Sequence, residues 1–183
     1  MRASMQILLA EGDRRKVICP VKTGRWPLAQ MNASMKTTNS EQALQPGFSQ
    51  VTTSPEETLD LAAAVLTAFP RAHVLALHGD LGAGKTCFVR GLASAMGIRE
   101  AITSPTFTLV REYAGTRPLV HIDLYRIASP DELLVIGFED YLDSDALVVI
   151  EWAERAGDLL PPDALHLTFR VEPGEERRRI TLS

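Results

Sequence analysis

The chain is poor in the features that mark several large classes of protein. Its 183 residues include only two cysteines, Cys19 and Cys87. Two are too few for a disulfide framework and lack metal-ligand spacing, which fits a reducing compartment. No uninterrupted apolar run approaches the roughly 18 residues a spanning helix needs, which excludes an integral membrane protein built on helices. His78, His121 and His166 are scattered without metal-ligand grouping and are assigned no ligand role. Overall charge is also small, a formal −4.

That charge is unevenly spread. Residues 1–50 carry seven Lys/Arg against three Asp/Glu, and residues 51–183 carry twelve against twenty. The body of the chain therefore has no overall basic excess with which to grip a polyanion, which argues against direct nucleic-acid binding. With 45% hydrophobic and 23% charged residues, the chain has the composition of a globular protein able to bury a core. Its length is that of one domain plus a tail. Residues 1–50 show no sustained period, and the stretch 31–50 is rich in Asn, Ser, Thr, Gln and Gly, so a disordered N-terminal extension is expected. Met31 and Met35 are alternative starts within it.

Order is expected from Ser54. Ser54, Pro55 and Glu57 form a helix-start signature, and Leu59, Ala62, Ala63, Leu66 and Phe69 recur at helical spacing. His73 to His78 reads as a short buried strand, followed by a glycine-rich turn and a second helix from Lys85 to Met96. Phe107 to Tyr113 and Leu119 to Asp123 read as strands. A helix opened by Ser129, Pro130 and Glu132 is interrupted at Gly137. Ala146 to Glu151 has the look of a central strand, and Ala164 to Val171 with Arg177 to Leu182 form a terminal hairpin. The mixture defines an α/β class, with residues 51–183 as one domain whose mixed central sheet is flanked by helices.

The segment Gly79-Asp80-Leu81-Gly82-Ala83-Gly84-Lys85-Thr86 satisfies the P-loop pattern, and it stands where that pattern has physical meaning, between an apolar strand and an amphipathic helix. Amide hydrogens of the loop and of the helix N-terminus can converge there on phosphate oxygens. Lys85 can neutralise β and γ phosphates, and the Thr86 hydroxyl can ligate Mg²⁺. Such a site also needs a carboxylate at a neighbouring strand end to organise the metal, and both Asp123 and Glu151 follow apolar runs. Ser104 to Thr108 is a proline-stiffened polar segment in which a hydroxyl could act as a switch. Arg126 could meet phosphate or form a salt bridge, and Trp152 could stack on a base, anchor a partner or pack in the core. The acids Asp131, Glu132, Glu139, Asp140, Asp143 and Asp145 read as a solvated face that Arg177, Arg178 and Arg179 could complement. The chain contains neither an Asn-Lys-x-Asp guanine-reading sequence nor a Ser-Gly-Gly signature, which disfavours a GTPase and an ABC-type ATPase.

The P-loop, Ser104-Pro105-Thr106-Phe107, His121-Ile122-Asp123-Leu124-Tyr125-Arg126 and Glu151-Trp152, in that order, closely resemble the TsaE (YjeE) family over about residues 54–183. These are small bacterial P-loop ATPases required for threonylcarbamoyladenosine modification of adenosine 37 in tRNA. The resemblance implies an ATP- and Mg²⁺-dependent hydrolase that acts with TsaD and TsaB in the cytoplasm, resets their complex between turnovers and meets tRNA only indirectly. It implies that Leu81 to Thr86 bind phosphates, that Thr86 and Glu151 coordinate Mg²⁺, and that Asp123 is the acid needed for hydrolysis. Thr106 takes a switch-like role, so that Asp123, Thr106 and Lys85 are the catalytic candidates, and Trp152 sits beside the metal. Cys87 departs from the second hydroxyl residue often found there. A P-loop small-molecule kinase is the alternative that the loop alone allows.

Overall fold

The computed structural model describes residues 44–173 and 176–183. Within them seven strands form one sheet: β1 (Ser49–Thr52), β2 (Val74–Gly79), β3 (Val110–Tyr113), β4 (Leu119–Asp123), β5 (Leu147–Glu151), β6 (Leu165–Val171) and β7 (Arg178–Leu182). Their spatial order is β1-β7-β6-β2-β5-β4-β3. The central four, β6, β2, β5 and β4, run parallel, while β7 and β1 on one side and β3 on the other are antiparallel to their neighbours.

Helices cover both faces, which is why the central strands are apolar at successive positions instead of alternating. Leu75, Leu77, Leu147, Val149, Leu167 and Phe169 face α1 (Pro55–Ala68) and α2 (Lys85–Ala95). Val74, Ala76, Val120, Ile122, Val148 and Ile150 face the other way, against Leu133 of α3 (Asp131–Val135), Phe138 of α4 (Phe138–Leu142), and Ala153 and Ala156. Ser54 caps α1 by accepting from the Glu57 amide, and Glu57 returns the bond to the amide of Thr53. At the other helix start, Glu132 accepts from the amides of Ala128 and Ser129, and Gly137, with φ of +67°, separates α3 from α4.

Two elements differ from the sequence expectation. β1 lies ahead of Ser54: it pairs with β7, and Leu44 and Phe48 before it pack on the core. It escapes pattern reading because it is a four-residue edge strand with only Val51 apolar. The expected strand from Phe107 starts only at Val110, because Pro105 accepts from the amides of Thr108 and Leu109 and curls residues 105–109 into a turn. Residues 1–43 of the expected extension, and Gly174 and Glu175 of the terminal turn, lie outside the described residues.

The two helices on the P-loop face approach closely at Gly91. A Cβ there would stand 2.7 Å from Ala62 Cβ and 2.7 Å from the Leu59 carbonyl oxygen. Backbone cannot yield as a flexible side chain can, so Gly91→Ala should destabilise the fold by about 2 kcal/mol despite the better helix propensity of alanine. Thermal unfolding should register this as a fall of about 4–8 °C.

Candidate nucleotide site

β2 delivers the P-loop at its carboxyl end, and the loop needs glycine for two separate reasons. At Gly79, with φ of +131°, a Cβ would lie 2.3 Å from the carbonyl oxygen of Phe169 on the adjacent β6. At Gly84, with φ of +106°, the chain enters α2 through a left-handed residue, and the Ala83 amide closes a turn on the carbonyl of Asp80. The loop tip is open, with Asp80 and Leu81 exposed, whereas Lys85 is only 4% exposed. Its ammonium donates to the carbonyls of Gly79 and Asp80 and lies 3.9 Å from the centre of the Trp152 ring. Burial holds its pKa below the ordinary lysine value, against the opposing pull of Glu151, Glu154, Asp123 and Asp80.

Sheet register brings the two strand-end acids to this loop. Parallel pairing sets Asp123 of β4 beside Glu151 of β5, and Glu151 beside Leu77 of β2. Both acids are buried, at 2% and 3% exposure. Their partners separate them. Glu151 Oε1 accepts from the Thr86 hydroxyl at 2.7 Å and from His121 Nε2 at 2.9 Å. Asp123 Oδ2 accepts from the hydroxyls of Ser104 and Thr106, each at 2.6 Å, and its Oδ1 accepts from the Tyr125 amide at 3.0 Å. One carboxylate is thus tied to the P-loop helix and the other to the segment 104–106.

The remaining candidates fall around this rim. Arg126 lies over the ring of Phe107, 4.3 Å from its centre, so it braces the polar segment through a cation–π contact. Phe107 itself is 83% exposed. Trp152 is half-buried in a left-handed conformation, φ +60°, with one side on the core and Tyr125 5.0 Å away. Arg179 pairs with Glu172 at 2.7 Å within its own hairpin, not with the acids of α3 and α4.

Three participants went unassigned in the sequence reading. His121 is two residues before Asp123 on a strand, so period-two alternation already puts both on one face. Ser104 shares Thr106's carboxylate, but nothing in its local sequence distinguishes it from an ordinary loop serine. Arg178 arrives from the far hairpin with its Cγ 4.0 Å from where a Cβ on Gly84 would be, and its Nε is buried without a partner. No local signal marks it, because its place depends on β7 pairing.

The donor set suits a hard divalent cation. Thr86 and Glu151 offer a hydroxyl and a carboxylate in contact, and among the described residues no group of three or more His, Cys, Asp or Glu side chains gathers to hold a metal. Two oxygen ligands beside a phosphate loop, the rest of the shell left to phosphate and water, is the pattern magnesium takes.

A parallel-centred sheet, a glycine loop opening a helix and two acids at the adjoining strand ends define a P-loop NTPase-like α/β protein. Comparison with known proteins narrows this. The family described as threonylcarbamoyl adenosine biosynthesis protein TsaE matches residues 52–180, and the chain belongs to that family. It is 40% identical over 133 residues to the tRNA threonylcarbamoyladenosine biosynthesis protein TsaE of Treponema pallidum, covering 73% of this chain and 98% of that one. To the protein of the same name from Bacillus subtilis it is 38% identical, covering 72% and 82%. The crystal structure of YdiB from Bacillus subtilis superposes with a TM-score of 0.61 at 35% identity, covering 74% of this chain and 83% of that one.

Proposed function

We propose that the chain is a magnesium-dependent ATPase of the tRNA N6-threonylcarbamoyladenosine (t6A37) system, working in the cytoplasm with TsaD and TsaB and resetting their complex through ATP binding and hydrolysis. The family supplies the biosynthetic setting. The observation that carries the ATPase reading is the division of labour between the two acids: Glu151 on the Thr86 hydroxyl, Asp123 on the hydroxyls of the polar segment.

In this reading Gly79 to Thr86 wrap the phosphates with amide hydrogens, and the Lys85 ammonium turns from the carbonyls of Gly79 and Asp80 to the β and γ oxygens. Thr86 and Glu151 would hold magnesium, which when bound offsets the charge on those oxygens. Asp123 orients the attacking water and receives its proton. Ser104 and Thr106 link that carboxylate to the segment that carries Phe107, so the state of the γ phosphate can be relayed to Phe107 on the surface. Trp152 covers the Lys85 ammonium, which strengthens the electrostatics there.

The test uses γ-labelled ATP with the full chain, TsaD, TsaB, a threonylcarbamoyl donor and unmodified tRNA. Inorganic phosphate should accumulate together with repeated rounds of tRNA modification, and only a single round should occur without this chain or without ATP beyond that used in making the donor. Label recovered in a small acceptor instead would replace this reading with that of a small-molecule kinase.

A further inference from the structure

We infer that His121 is a positioning residue for magnesium: it fixes the rotation of the Glu151 carboxylate so that Thr86 is presented to the cation. This rests on the magnesium–nucleotide reading above. His121 sits on β4 between Arg111 of β3 and Val149 of β5, with no solvent exposure. A carboxylate oxygen accepts and cannot donate, so the proton in the 2.9 Å contact is carried by His121 Nε2. Thr86 Oγ1 donates to the same oxygen at 2.7 Å.

Two donors on one oxygen define the plane of the carboxylate, since rotation about its last torsion breaks at least one of the bonds. The consequence passes to Thr86. With its proton committed to Glu151, the hydroxyl oxygen has its lone pairs left for a cation. If Glu151 turned away, the hydroxyl would be free to rotate and would present its hydrogen in that direction as often as its lone pairs. Ligand orientation of this kind is what partners behind the coordinating atoms supply in metal sites generally.

The histidine is not an unmixed gain in stability, since the bond it gives Glu151 is set against an orphaned nitrogen. Its Nδ1 is buried without a hydrogen-bond partner, a penalty that an apolar side chain of similar size would avoid. His121 has no solvent exposure and its hydrogen bond goes to Glu151, so its effect is expected in metal affinity and not in the binding of ATP alone.

The full chain is titrated calorimetrically with ATP in excess magnesium and with ATP in chelator, as wild type, His121→Leu, His121→Asn and His121→Gln, with thermal unfolding recorded for each. His121→Leu should weaken magnesium–ATP binding about 10-fold and leave ATP binding in chelator at the wild-type level. The amide of glutamine reaches the place of Nε2 and should restore most of the loss, whereas asparagine, one methylene shorter, should not. Wild-type magnesium dependence in a folded His121→Leu protein, an equal loss with and without magnesium, or glutamine no better than asparagine would each overturn the inference; the last comparison stands even if the leucine variant does not fold. A wild-type chain that binds ATP no better with magnesium than with chelator would overturn the magnesium reading itself, and the role of His121 with it.

Discussion

Asp123→Asn should reduce ATP hydrolysis by at least about 100-fold while leaving the affinity for magnesium–ATP within about threefold of wild type. The prediction follows from what the carboxylate does in the folded protein. Asp123 is 2% exposed and spends one oxygen on two hydroxyls and the other on the Tyr125 amide. Asparagine can keep all three contacts. Its carbonyl oxygen accepts from the Tyr125 amide, and its NH₂ donates to the Ser104 and Thr106 hydroxyls, which can accept as readily as donate. The segment 104–106 therefore stays docked, and the cost in stability should be no more than about 1 kcal/mol. What the amide cannot do is take a proton from water. Asp123→Ala provides the contrast, since it leaves two hydroxyls and a backbone amide without their acceptor. It should lose hydrolysis to the same extent and also release the polar segment, detectable as faster amide hydrogen exchange over residues 104–109. If Asp123→Asn hydrolyses ATP at the wild-type rate, the acid's place in the mechanism is lost and Glu151 would have to carry both duties.

The site was legible in sequence wherever a local rule applies. Glycine spacing between an apolar run and an amphipathic helix located the phosphate loop, and apolar runs ending in acid located Asp123 and Glu151, because strands of an open α/β sheet deliver their carboxyl ends to one rim. What could not be read was the partnership across strands. The local pattern offered both acids for the metal, and only the family resemblance divided them, Glu151 to the metal and Asp123 to hydrolysis. The β4–β5 register together with the approach of α2 gives Thr86 to Glu151 and the polar segment to Asp123. Arg178 depends on the same kind of information, since its place beside Gly84 is set by β7 pairing with β6 and β1.

Arg126 and the turn before β3 show a subtler limit. Proline in Ser104-Pro105-Thr106 signalled stiffness, but the apolar-looking continuation through Phe107 suggested a strand. Two amides bonding the Pro105 carbonyl instead place Leu109 at φ +64°, turn Thr106 onto Asp123, and leave Phe107 outside under Arg126. A large aromatic 83% exposed on the segment bonded to Asp123 is a local rule broken, and departures of that kind gather at functional sites.

Lys85→Met should abolish detectable ATP binding, at least a 100-fold loss in affinity, and yet raise the thermal midpoint by roughly 2–4 °C. The first effect comes from two charge-assisted bonds to phosphate, each worth about 1.5–3 kcal/mol. The second comes from burial. An ammonium 4% exposed, bonded to the neutral carbonyls of Gly79 and Asp80, is harder to keep charged than one in water, and burial accordingly lowers its pKa. The folded chain thus holds this proton less tightly than the unfolded chain does. Below the lowered folded-state pKa the penalty is fully present. As pH climbs from there towards 10.5, the ordinary value, the unfolded state binds more protons than the native one and stability rises. The advantage of Lys85→Met over wild type should therefore shrink across that alkaline window, and chemical denaturation at a series of pH values reads it directly. Methionine keeps the length of the stem against Trp152, so packing is nearly conserved, and the carbonyls it frees lie on a loop whose tip is open to water. That pair of results would mark Lys85 as a cost in the empty protein tolerated for phosphate binding. If Lys85→Met proved less stable than wild type at neutral pH, the ammonium would instead be a structural clasp of the loop, and its two carbonyl contacts the reason it is there.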